Sequence, residues 1–466
     1  MAAINELKRQ KTSEEQDVVE GEKSLCKLPD VVLQHILCFV TMKEAVRTSI
    51  LSKRWEYLWT SIPTLIFTEN GSNLRFDEYV ANRTMFIDFV DRAISLRDSN
   101  IDKFHLSCDG LGDAVRIRRW FSAVARHNVR VASFSLWNCN KPFELRHCFF
   151  TCASLTELRI HVSGDALKMP TSIWFSSLKI LKLCGVIFPD DHSTQKLFSG
   201  CPLLEELTIS KCDWANVKAV CICCPNLHGL YIHDMCMDNQ PWDESDDCQI
   251  MISGSSLKEF CYFGDFIDHY FFYDCSPLEN ATIGIYNWDQ RARTVAKRLY
   301  KLLSGLSDVK KLKLARAAIE VLNYAVDLVA SLPLFSNLFV LELNSELINL
   351  DSKALVEILQ HCPRLETLKF AKGINLASEY DENSGILDPV PACFLSHLKT
   401  IIVRKCDGNK DLYKDVVAIL LEKVVVLNKL VLYCRESTWS LNEMEKIRKE
   451  ILELPRASKV LKMELM

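Results

Sequence analysis

Between Ile101 and Leu427 one spacing keeps returning: apolar, two variable residues, apolar, one variable, apolar. The clear copies are Leu155-x-x-Leu158-x-Ile160, Leu178-x-x-Leu181-x-Leu183, Leu204-x-x-Leu207-x-Ile209 and Leu227-x-x-Leu230-x-Ile232. Weaker copies start at Leu257 and Leu278, and the pattern resumes at Val309, Leu338, Leu365, Leu398 and Leu427. Two earlier copies start at Ile101 and Val131, so thirteen starts span 326 residues at a mean interval of about 27.

The last two apolar positions of each copy alternate with variable ones, the period of a short strand with one buried face. A unit this small cannot bury that face alone, so neighbouring copies must stack into one continuous core. The interval lies in the range of leucine-rich repeats, which sets the expected fold class as α/β: a solenoid with short parallel strands on a concave face and helices or loops behind. Cys201-Pro202, Cys224-Pro225, Cys275-Ser276-Pro277 and Cys362-Pro363 punctuate the copies. There a cysteine is expected to pack as a compact apolar side chain ahead of a proline that ends the preceding helix.

Residues flanking the inward pair should point to the concave face, the usual recognition surface of such arrays. The candidates for target binding are Glu157, Arg159, Tyr231, Phe263, Lys311, Lys313, Lys369 and Arg404, with His161, Glu206, His233, Glu259, Glu342 and Lys429 beside them. Tyr231 and Phe263 offer aromatic anchors, and the later part of the face is rich in lysine and arginine. That enrichment suits an acidic or phosphorylated segment of a target. The alternative is an ordinary solvated sheet face.

Ahead of the array lies a different pattern, SLCKLPDVVLQHILCFVTMKEAVRTSILSKRWEYLWTSIPTLIF over residues 24–67. Pro29 and Asp30 open a helix, and Val32, Leu33, Ile36, Leu37 and Val40 follow at helical spacing. A second short helix is expected through Ala45, Val46, Ser49 and Ile50, and a third through Trp55, Leu58 and Trp59 with Ser52 as N-cap and Lys53, Arg54 and Glu56 facing away. So small a module cannot cover two tryptophans and its aliphatic residues, so it must meet a partner or cap the domain that follows. Leu65 and Phe67 are placed at that junction.

LPDVVLQHIL followed by KEAVRTSILSKRWEYLW closely resembles the F-box of plant F-box proteins, at the offsets that family shows. The resemblance implies three helices that bind a Skp-type adaptor and through it a cullin-RING ubiquitin ligase. It places the adaptor contacts on Leu28, Pro29, Ile36, Leu37, Val46, Leu51, Trp55 and Trp59. One departure stands out: the family often has Leu-Pro-Thr before the second helix, where this chain has Val40-Thr41-Met42. At the other end, CFLSHLKT and LPRAS within residues 389–466 resemble the FBD domain that closes many plant F-box proteins with leucine-rich repeats. The implied division is a disordered tail over 1–23, an F-box over 24–67, repeats over 68–388 and an FBD domain over 389–466 that keeps the repeat rhythm.

Composition narrows the function classes. Hydrophobic residues make up 48% and the net charge is −4, so nothing global points to nucleic acid or a membrane surface. Residues 1–23 carry no apolar run of signal-peptide type, and no segment approaches the length of a membrane span. The expected location is therefore cytoplasm or nucleus, with the 20 cysteines reduced. Cys221, Cys223, Cys224, Cys236 and Cys248, with His228 and His233, lie close in sequence, but Cys-x-Cys-Cys lacks the spaced pairs of structural zinc. No phosphate-binding glycine loop, H-E-x-x-H or G-x-S-x-G occurs. The chain is expected to be a non-catalytic, cofactor-free substrate-recognition subunit of an SCF-type ligase; the alternative is a repeat scaffold with no ligase role.

Overall fold

The computed structural model describes residues 27–69, 76–97, 99–109, 114–138, 143–144, 149–163, 167–168, 173–234, 247–275, 278–344, 347–376, 386–404, 410–433, 446, 449–458 and 461–465. The tail expected over 1–23 lies outside them. The chain forms two compact units, Met1–Ala166 and Leu167–Met466.

In the first unit, two short helices, Asp30–Leu37 and Met42–Arg47, lead through 3-10 turns at Thr48–Ile50 and Leu58–Ser61 into a strand. That strand, Thr64–Thr68, pairs in parallel with Lys103–Asp109, which pairs with Val131–Trp137 and then Glu157–Val162. The helices Phe76–Ser95 and Ala114–Arg126 connect the first three strands. Phe67, Phe104, Phe121 and Phe134 fill the interior, with Phe121 stacked on Phe134 at 3.5 Å between ring centroids.

Among the described residues, the main sheet of the second unit runs through eleven parallel strands in sequence order, from Ile180–Cys184 to Lys462–Leu465. Their register aligns Leu181, Leu207, Leu230, Phe260, Ala281, Leu312, Leu341, Leu368, Ile401 and Leu430 in one row. Each of these ten side chains is at most 1% exposed. The starting residues of the copies, including Leu204, Leu338, Leu365 and Leu398, are buried beneath the strands. This is the stacked-repeat core that the spacing predicts.

Several expectations are corrected by the ladder. Val131 pairs with Glu157, so the copy read from Val131 starts two residues earlier, at the fully buried Val129. A slip of two preserves which side chains face inward, so the pattern alone could not expose it. A further copy, Ile62-x-x-Leu65-x-Phe67, forms the first strand and had been hidden inside the leading module. Lys462–Leu465 adds another at the far end.

Behind the middle of the second unit the returning segments are strands: Ala219–Cys223, Gln249–Gly254 and His269–Cys275 form their own parallel sheet. Residues 249–254 therefore belong to regular structure, while 235–246 lie outside the described residues. Pro225 accordingly follows a strand, whereas Pro202 and Pro363 follow the helices Asp191–Ser199 and Lys353–Gln360. Cys201, Cys224 and Cys362 are fully buried, and the Cys362 thiol donates to the Ile358 carbonyl at 3.0 Å. Burial drives all three thiols upward, away from ionisation.

Candidate functional site

Two kinds of surface emerge, one on the leading module and one on the outward strand face of each unit. The first belongs to the leading module. Its second helix starts at a capping box: Thr41 Oγ1 accepts from the Glu44 amide at 3.3 Å, and Glu44 Oε2 accepts from the Thr41 amide at 3.0 Å. The chain break made elsewhere by proline is made here by threonine. Arg54 does not face away. It reaches back to Asp30 Oδ1 at 2.5 Å and donates to the Leu28 carbonyl, tying the first helix to the turn that precedes Leu58–Ser61.

The third helix is absent as an α-helix. Residues 53–57 are turns, and the Ser52 hydroxyl caps nothing. Leu33, Leu37, Met42, Ala45, Trp55, Leu58 and Trp59 pack together at no more than 6% exposure, and Trp59 Nε1 donates to the Glu56 carbonyl at 3.0 Å. Leu37, Trp55 and Trp59 thus form the module's own interior, which corrects their assignment to a partner-facing surface. The apolar stripe of the first helix is split: Leu33 and Leu37 turn in, while Val32, Ile36 and Val40 turn out. Pro29 and Leu51 are exposed, and Leu28 and Val46 are half-buried.

Of what the module displays, spacing singled out Ile50 and the family resemblance Leu51, but neither singled out Val31, Phe39 or Tyr57. Ile50 is 89% exposed, Phe39 79% and Val31 75%, with Tyr57 and Leu51 also over half exposed. The tight 3-10 turn after Arg47 throws Ile50 and Leu51 outward. That conformation carries no apolar-repeat signal in sequence.

The second surface is the outward face of the strands. In the first unit Glu157 and Arg159 stand there, paired with each other along one strand. In the second unit, register places Lys182, Thr208, Tyr231, Cys261, Thr282, Lys313, Glu342 and Lys369 in one outward row. Tyr231 leans back over Gly229, and its hydroxyl donates to Glu259 Oε2 at 2.9 Å. Burial, then this bond, push the Tyr231 phenol up to about 12. The ring borders an open cavity of about 410 Å³, lined also by Glu206, His228, Lys258 and Glu279.

On the next strand Phe263 lies against Gly284, with His233 stacked on one side at 5.8 Å and Tyr286 on the other at 6.4 Å. Two glycines at outward positions let these rings lie flat, so the middle of the face is an aromatic shelf. Gly229 two residues before Tyr231 was the sequence signal for it. The basic residues are less free than their number implied. Lys313 sits 3.8 Å from Glu342, the Lys429 ammonium 2.7 Å from Glu464, and Arg404 packs on the Tyr433 ring at 5.5 Å. Lys311 and Lys369 remain on the outward face, Lys311 exposed and Lys369 half-buried.

Behind the shelf lies a buried polar island. Asp234 accepts from the Tyr262 hydroxyl at 3.2 Å and the Tyr270 hydroxyl at 3.3 Å. Burial raises the Asp234 carboxyl to about 6 and the neighbouring Asp268 well above its ordinary value. Arg298 ties the island together through the Phe266 carbonyl at 2.7 Å, the Ile267 carbonyl and Asp247. Among the cysteines weighed for zinc, Cys224 is committed to the Phe198 carbonyl at 3.4 Å, Cys223 is exposed, and Cys236 lies outside the described residues. No His/Cys/Asp/Glu group suited to a metal occurs among the described residues. No helix of the described residues is long and apolar enough to cross a membrane.

Comparison with known proteins adds an independent line. Residues 25–67 match the F-box domain model, and residues 117–245 match a model described as FBD-associated F-box protein At5g56370, LRR repeats. The putative F-box/LRR-repeat protein At3g58880 of Arabidopsis thaliana is 30% identical over 365 residues, covering 74% of this chain and 77% of the relative. The putative F-box/FBD/LRR-repeat protein At3g59240 of the same plant is 29% identical, covering 87% and 82%. FBD-associated F-box protein At5g22730 is 28% identical over 94% and 93%.

Proposed function

Because this chain belongs to the plant F-box/LRR-repeat family, we propose that it is a substrate-recognition subunit of an SCF-type ubiquitin ligase. The leading module would dock on a Skp-type adaptor and, through it, a cullin-RING assembly. The outward strand face would hold a target protein. The observation that carries the reading is the apolar surface on the module, with Val31, Phe39, Ile50, Leu51 and Tyr57 each more than half exposed. Such a surface on a segment with a complete interior of its own marks an interaction site.

The adaptor contacts are assigned to Leu28, Pro29, Ile36, Val46 and Leu51, extended by Val31, Phe39 and Ile50. Target contacts are assigned to the shelf of Tyr231 and Phe263 and to Lys311, Lys313, Lys369 and Arg404, with Glu157 and Arg159 on the first unit's face. The chain itself would do no chemistry; it would raise the effective concentration of a target lysine near the conjugating enzyme. Residues 389–466 are read as the FBD segment and the location as cytoplasm or nucleus.

The test is co-elution of the full chain with a purified Skp-type adaptor, alongside Ile50→Glu/Leu51→Glu. The native chain should form a complex and the variant, still folded, should not. Failure of the native chain to bind any Skp-type adaptor would overturn the ligase reading and leave a repeat scaffold. Equal binding by both chains would overturn only the contact assignment.

A further inference from the structure

Arg97 follows the helix Phe76–Ser95 and is 4% exposed. One guanidinium nitrogen, Nη2, donates to the Ile62 carbonyl and to Ser99 Oγ at 3.2 Å. The other two, Nε and Nη1, are buried and have no acceptor among the described residues. A buried donor without a partner is costly, and more so when it is charged. Burial pulls the Arg97 guanidinium down to about 10, and no carboxylate among the described residues opposes it.

Arg97 lines a cavity of about 440 Å³ between that helix and Ala114–Arg126. Arg119 and Arg126 line it as well; they stand seven apart, two turns along one helix face, and both are exposed. Neither makes an ion pair among the described residues. Asp91, the one lining carboxylate among the described residues, is engaged: it accepts from Trp120 Nε1 at 2.6 Å and lies 3.9 Å from Arg116. Two helix C-termini close by contribute about −0.5 charge each. Three lining guanidinium groups against one carboxylate, which Arg116 also faces, and those helix ends leave the cavity net positive.

We propose that this cavity binds a small oxyanion of the phosphate class, held by Arg97 from within and by Arg119 and Arg126 at the mouth. Guanidinium groups match phosphate oxygens in geometry and charge, and the buried donors of Arg97 would gain their acceptors on binding. The site lies away from the outward strand face and does not depend on the ligase reading.

The experiment is thermal unfolding and calorimetric titration of the full chain with inorganic phosphate and, separately, O-phosphoserine, against chloride at matched ionic strength. A midpoint rise specific to phosphate is expected, together with binding about tenfold weaker in Arg119→Gln/Arg126→Gln. Tighter binding of O-phosphoserine would identify an esterified phosphate as the ligand; equal binding would identify the free ion. Either supports the site. Arg97→Gln should abolish binding, and because its loss could also unfold the unit, the exposed double variant carries the decision. No difference between phosphate and chloride would overturn the proposal. So would a phosphate effect that the double variant leaves unchanged, which is an adventitious ion only.

Discussion

The ring of Tyr231 rests on Gly229: a Cβ added to that glycine would lie 2.9 Å from the ring's Cε2 and 3.1 Å from its hydroxyl. The glycine is needed for clearance and not for backbone freedom, since its strand conformation suits any residue. Gly229→Ala should therefore lift the ring and break its bond to Glu259. A loss of about 1–3 kcal/mol is expected in urea unfolding. An unchanged midpoint would show that the ring swings aside at no cost.

The capping box of Thr41 and Glu44 replaces a proline as the break between the first two helices. Thr41→Ala should weaken the module by about 1 kcal/mol. Hydrogen exchange of the amides in Met42–Arg47 should accelerate while those of the strands stay protected. Unchanged exchange in that helix would refute the assignment.

The buried island gives a pH dependence with a definite sign. Asp234 titrates near 6 in the folded protein, above its unfolded value, and Asp268 is displaced the same way. The folded state therefore keeps protons that the unfolded chain has released. Stability should fall as pH rises from about 4 toward 6 through this pair. Asp234→Asn keeps an acceptor for Tyr262 and Tyr270 and should flatten that fall. An identical pH profile in the variant would count against it.

Lys313, Glu342 and Lys369 stand side by side on consecutive strands. Reversing both lysines to glutamate sets three carboxylates in a row. The cost in stability should be small, roughly 1 kcal/mol or less, because exposed pairs are weak. The set of proteins captured by proximity labelling should change. An unaltered set would remove this row from the recognition surface.

Much of this was readable beforehand, and the reasons it was or was not are physical. Leu158 and Ile160, or Leu207 and Ile209, declare a strand because alternation has one meaning and their neighbours repeat it. Val131 was misplaced by two residues because such a slip leaves every side chain on its own face. The outer strands were missed since Val220, Ile222, Ile250 and Ile252 repeat at no fixed distance from the copies. In the leading module, helical spacing grouped Ile36 with Leu37, yet only Leu37 is buried. A helix of eight residues pinned by Arg54 presents a narrow inner face, which spacing overestimates. The phosphate-class cavity was invisible because its parts lie on two helices and a turn.

The first strand is at once the floor of the leading module and the first rung of the ladder. Leu65 and Phe67 are buried there, and the Pro63 carbonyl accepts from the amides of Asp102 and Lys103 at 2.8 and 3.1 Å. No hinge separates the two. Whatever grips the module takes hold of these first rungs as well, so it handles them as a lever is handled by its welded end: an approach angle fixed in the fold, with no swivel to search for it.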